Sequence, residues 1–170
     1  MAEQDKERKA DAACEIDFDS LDGEGIVDLL SKQPQLADKC DLSKLCGFNW
    51  ELLLKRRPEF ADKCDWSKLD GLNWEILLED RPEFADKCDW SKLDGWVWNL
   101  LLAKQPRFAD KCDWSKLDGE AWARLLTTRP EFADKCDKWG EIPEKSERWN
   151  TDWRSLLAEQ PQLAKYKPEK

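Results

Sequence analysis

Pro58–Gly71 reads PEFADKCDWSKLDG, and Pro82–Gly95 repeats it letter for letter. Pro106–Gly119 departs only at Arg107, and Pro34–Gly47 is a looser copy, PQLADKCDLSKLCG. Pro34, Pro58, Pro82, Pro106 and Pro130 therefore recur every 24 residues. Self-similarity at a fixed period of this size is the signature of a stacked repeat architecture. Between the constant stretches lie ten-residue halves that vary: FNWELLLKRR, LNWEILLEDR, WVWNLLLAKQ and EAWARLLTTR.

The register runs outward in degraded form. Ile16, Phe18, Leu21, Gly23, Ile26, Leu29 and Leu30 fall on the repeat positions of Cys40, Leu42, Leu45, Gly47, Trp50, Leu53 and Leu54. Towards the other end Phe132, Ala133 and Cys136 keep phase. A seven-residue insertion around Trp139–Asn150 then delays Trp153, Leu156, Leu157 and Pro161. Divergent outer copies are expected of capping units, which must show a polar face to water. The chain is expected to divide as an N-terminal tail and capping half-repeat (1–33), repeats at 34–57, 58–81, 82–105 and 106–129, a divergent repeat with the insertion (130–160) and a C-terminal cap (161–170).

Within a unit, Trp74, Leu77 and Leu78 stand at i, i+3 and i+4, one face of an α-helix. Asp70 suits the N-cap of that helix, Gly71 allows close approach of a neighbour, and Arg81, preceding Pro82, is biased away from the α region. Pro82 then suits the first position of a second, two-turn helix that turns Phe84, Ala85 and Cys88 inward. The linking DWSKL segment is too short for an α-helix and reads as a turn or 3₁₀ piece, with Trp90 and Leu93 held to the core. No stretch reads as a strand. The expected fold is all-α: a right-handed solenoid of about six units, each a longer α-helix plus a short helix or 3₁₀ turn.

A 24-residue unit that alternates an α-helix with a shorter helical or 3₁₀ piece, with a proline between, resembles the leucine-rich-repeat-variant solenoids. The resemblance covers period and proline placement over nearly the whole chain. It implies the right-handed superhelix and, in some relatives, an iron–sulfur domain. Trp stands where that family prefers Val or Leu, and no clustered cysteine motif accompanies the repeats.

Composition excludes several functions. Twenty-eight basic against 37 acidic residues give a net charge of −9, a poor basis for nucleic-acid or anionic-membrane binding, which depends on cationic side chains. The chain has no histidine, which removes His-based acid–base catalysis and His-ligated metal. No stretch approaches the roughly 20 apolar residues of a membrane span. Met1–Ala13 lacks the apolar core of a signal peptide, so the expected compartment is cytoplasmic.

Cys40, Cys64, Cys88, Cys112 and Cys136 share one repeat position. Stacked helical units lie roughly 8–10 Å apart, while a disulfide needs Cα atoms within about 7 Å. The ladder is thus read as free thiols serving as small buried hydrophobes. The Trp66, Trp90 and Trp114 position also accepts Phe18 and Leu42, which points to apolar volume rather than ring chemistry. Ser67 with Lys68, and its copies, could suggest a Ser–Lys nucleophile, but adjacent side chains usually diverge and an active site is one constellation, not several. Turn and cap hydrogen bonds are the expected role. No cofactor, metal site or catalytic residue is expected.

The variable half carries the functional signal. With Trp74, Leu77 and Leu78 inward, positions 72, 76 and 79 point nearly opposite at about 100° per residue. Three central units carry apolar pairs there: Phe48 with Leu52, Leu72 with Ile76, and Trp96 with Leu100. The flanking units carry Glu24 and Asp28 on one side and Glu120 and Arg124 on the other. A bounded apolar stripe of this kind marks a partner site, unless it packs inside the solenoid. The expectation is a non-catalytic scaffold binding a protein, a peptide or a second copy of itself, with no nucleic acid and no membrane. The competing reading is a carbohydrate- or small-ligand-binding module that uses exposed Trp.

Overall fold

Each copy of the constant stretch folds into two short 3₁₀ segments, and each variable half into one α-helix. The computed structural model describes residues 16–146 and 151–169. Six α-helices follow in chain order: α1 (Gly23–Lys32), α2 (Gly47–Arg56), α3 (Gly71–Asp80), α4 (Gly95–Lys104), α5 (Gly119–Thr128) and α6 (Trp153–Glu159). Each packs on the next, so the chain is a helical solenoid of about six units. There is no strand among the described residues.

Helix length is set at both ends by the repeated residues. Asp70 is extended and accepts the Asn73 N–H, capping α3, as Asp22, Asp94 and Asp118 cap α1, α4 and α5. At the other end Arg81 leaves the helical region (φ −130°, ψ 65°), as the residue before a proline must. Pro82 then opens a 3₁₀ segment, Pro82–Lys87. The second, shorter helical piece expected from sequence is this 3₁₀ segment. Its bonds run i to i−3, Phe84 N–H to Arg81 C=O and Cys88 N–H to Ala85 C=O, because a six-residue segment that starts at a proline and ends at an extended cysteine leaves little room for α-helical closure.

The core is a column of identical positions. Trp50, Trp74, Trp98 and Trp122 are buried, with Ile26 and Trp153 at its ends. Leu53, Leu77, Leu101 and Leu125, and Leu45, Leu69, Leu93 and Leu117, close it on two sides. The linking-segment tryptophans lie half-buried against this column. Trp66, Trp90 and Trp114 stack on Trp74, Trp98 and Trp122 at 5.4–5.5 Å and tilt against Phe84, Phe108 and Phe132. Of the ladder cysteines only Cys136 is fully buried; Cys40, Cys64, Cys88 and Cys112 are half-buried, as is Ala85. All five are free thiols. Their position falls at the extended residue closing the 3₁₀ segment, the rim of the core rather than its centre.

Two polar ladders join unit to unit. The Lys68 ammonium donates to the Ser43 and Leu45 carbonyls of the preceding unit at 2.7 and 2.8 Å. Lys44, Lys92 and Lys116 repeat the arrangement one unit apart. Lys138 does so for Ser115 and Leu117 although it stands two residues ahead of the strict period. Separately, the residue before the proline that follows each of α2–α6 reaches back to the last turn of the preceding helix: Arg57 to the Ser31 carbonyl, Arg81 to Lys55, Arg129 to Ala103. Gln105 and Gln160 do the same to Glu79 and Thr127. These carbonyls have no partner within their own helix. Glutamine replaces arginine there, so a donor of the right reach is what the position requires.

The seam is tight where glycine opens helices α1–α5. A Cβ on Gly71 would lie 2.6 Å from the Lys92 carbonyl oxygen of the next unit. The short Lys-bearing turn can approach only a residue without a side chain.

Candidate interaction surface

The outward residues of the central helices fall where the phase of the sequence places them. Phe48, Leu72 and Trp96 are 60%, 48% and 47% exposed, and no other large apolar side chain among the described residues is exposed. Each lies in the first turn of its helix, so the following turn carries Leu52, Ile76 and Leu100 beside it. These second members are half-buried. Packing of the whole stripe inside the solenoid is not what the structure adopts.

The stripe has charged ends. Glu24 and Asp28 of α1 are exposed, and the Arg56 guanidinium meets Asp28 at 3.3 Å. At the other end Arg124 of α5 lies over the Trp96 ring, 4.4 Å from its centroid, a cation–π contact that shields part of one ring face. Beside it a notch of about 380 Å³ is lined by Trp96, Asp94, Asp118, Glu120, Lys116 and Arg124.

A third direction on the helices carries residues that the inward–outward reading misses. Position 75 lies about 100° from Trp74 and points along the solenoid axis. Glu51, Glu75 and Asn99 occupy it in the three central units and are only 2–3% exposed; Val27 and Ala123 occupy it in α1 and α5. Glu51 accepts from the Asn73 amide at 3.2 Å. The equivalent of Asn73 in α4 is Val97, and there Lys104 approaches the Glu75 carboxylate instead, at 3.1 Å, while also pairing with Glu79. Asn99 donates to the Ala121 carbonyl at 2.7 Å. Burial pushes the Glu51 carboxyl above the usual carboxylate range, partly opposed by the Asn73 hydrogen bond. Among the described residues, buried polar side chains at this helix position are thus confined to the same three units that carry the stripe. Carboxylates beside Trp at one repeat position were the available signal, but a pattern within one unit does not show what faces it from the next.

The repeated Ser–Lys pairs do not form dyads. Ser67 Oγ donates to Asp65 at 2.6 Å, closing its own turn, while the Lys68 ammonium is held by the preceding unit. Ser91 and Ser115 repeat the bond to Asp89 and Asp113. The exposed carboxyls of Asp65, Asp89 and Asp113 are held below the usual range, chiefly by these serine hydroxyls. Burial drives the thiols of Cys64, Cys88 and Cys112 up to about 12 and that of Cys136 up to about 11. Such thiols are poor nucleophiles and poor ligands at neutral pH. Cys46, which replaces the capping Asp in its unit, is exposed.

The architecture and surface define a tandem helical-repeat protein with one apolar stripe across its central units. Compared with protein families, curated proteins and solved structures, the chain matches none. The likeness to leucine-rich-repeat-variant solenoids rests on the period and the helix–3₁₀ alternation. No helix among the described residues is long and apolar enough to cross a membrane.

Proposed function

We propose that the protein is a non-catalytic scaffold that binds another protein or peptide, or a second copy of itself, through the stripe formed by Phe48, Leu52, Leu72, Ile76, Trp96 and Leu100. One observation carries this reading: the exposed large apolar residues occupy one repeat position on three successive helices. Scattered surface hydrophobics are ordinary, whereas an aligned and bounded row is a feature of docking sites. Trp96 is the anchor, since a large aromatic desolvated in an interface contributes about 2 kcal/mol or more. Among the described tryptophans other than Trp96, Trp50, Trp74, Trp98, Trp122 and Trp153 are buried, and the half-buried Trp66, Trp90, Trp114 and Trp139 already stack on core rings, which disfavours a sugar-stacking row.

The test is Trp96→Glu combined with Ile76→Lys. Partner binding or self-association is expected to be lost while helicity and melting temperature stay close to those of the parent. Unfolding of the double variant would place the stripe in the core. A folded variant that still binds would put the docking surface elsewhere.

A further inference from the structure

Charge says what kind of segment this stripe accepts. Helices α1–α5 with their N-caps hold eleven acidic and five basic side chains, a net of −6 out of −9 for the chain. The cations there are largely engaged: Lys55 with Asp80, Arg56 with Asp28, Lys104 with Glu75 and Glu79, and Arg124 against Trp96. Glu24, Asp70, Asp94, Asp118 and Glu120 are exposed and make no ion pair within 4 Å. The linking turns do not offset the imbalance, because Asp65 accompanies Lys68, and Asp89 and Asp113 accompany Lys92 and Lys116.

Two copies placed stripe to stripe would bring two layers of −6 together. A cationic occupant meets the opposite field. The Trp96–Arg124 contact already shows a guanidinium accommodated on the anchor ring. We infer that the stripe receives a basic amphipathic helix from another protein, its apolar face on Phe48, Leu72 and Trp96 and its Lys or Arg residues towards Glu24 and Glu120. This rests on the reading of the stripe as a docking surface. Three helices at roughly 8–10 Å spacing make a strip about 20–30 Å long. At 1.5 Å per residue a helix of about 14–20 residues covers it.

Three 18-residue helical peptides with one shared apolar face, and with Lys/Arg, Gln or Glu on the polar face, would be titrated by fluorescence anisotropy against the full chain. The basic peptide is expected to bind about tenfold or more tightly than the Gln peptide, and the Glu peptide more weakly still. That advantage should shrink several-fold in about 0.5 M salt and in Glu24→Lys/Glu120→Lys, while Trp96→Glu weakens all three peptides. Equal affinity for the Gln and basic peptides would overturn the charge inference and leave the stripe reading standing. Basic-peptide binding indifferent to Trp96→Glu would overturn both. So would absence of all peptide binding, unless the chain dimerises through Trp96, in which case the occupant is a second copy and only the inference fails.

Discussion

Replacing Lys92 by Met removes one rung of the inter-unit ladder while keeping its aliphatic stem. The Lys92 ammonium donates to the Ser67 and Leu69 carbonyls, both at 2.7 Å. A hydrogen bond with a charged partner contributes about 1.5–3 kcal/mol. The Ser67 carbonyl is open to water and can exchange partners, so its share is small. Leu69 is fully buried, so its carbonyl finds no water in place of the lost bond. The total comes to about 2 kcal/mol, roughly a 4–8 °C drop in melting temperature for a chain of this size. Thermal and urea unfolding followed by far-UV circular dichroism would read it. Lys63→Met is the control, because the Lys63–Asp38 pair is exposed on both sides and its loss should leave the melting temperature unchanged. If Lys92→Met were as silent as Lys63→Met, the ladder would be decoration and unit stacking would rest on apolar contacts alone.

Other outcomes follow from the same geometry. Gly71→Ala should destabilise by about 1–3 kcal/mol through overpacking against the Lys92 carbonyl, whereas Gly140→Ala, with nothing within 4 Å of its Cβ, should not. Glu51→Gln should raise the melting temperature at pH 7, with the gain shrinking towards pH 4. Burial raises the Glu51 carboxyl in the folded state, so its contribution is fully present below the ordinary carboxylate range and is lost as pH rises through the raised value. Cys46 should react quickly with a thiol reagent at pH 8 and Cys64, Cys88 and Cys112 slowly until denaturant is added, because their thiols titrate near 12; rapid native reaction of the latter three would show that the seam opens.

The sequence carried the fold in its period and its punctuation. Asp before Gly and Arg before Pro fix the ends of α3, and Trp74, Leu77 and Leu78 set its phase, so the inward column and the outward stripe were both legible. What faces a residue along the solenoid axis was not. Glu75 reads as one more charge on a helix until Lys104, 29 residues later, is seen to approach it. Lys68 reads as a solvated lysine until two carbonyls of the preceding unit are found at its ammonium. Constancy of a residue from copy to copy does not distinguish recent duplication from such contacts. Pro82 marks the start of a second short helix, and its short span favours i to i−3 closure, which leaves Ala85 and Cys88, expected inward, at the rim.

Reactivity of a single thiol placed on the stripe tests the account most directly. Two of the seven cysteines, Cys14 and Cys46, stand outside the ladder; Leu72→Cys in a chain with both changed to Ser puts the probe at the centre of the strip and leaves the ladder thiols as background. In dilute free protein the new thiol should react at a rate close to that of an unstructured cysteine, and the rate should fall when the basic helical peptide is added. A thiol in the free chain as slow as Cys88 would contradict the account, because the stripe would then be covered by the protein itself.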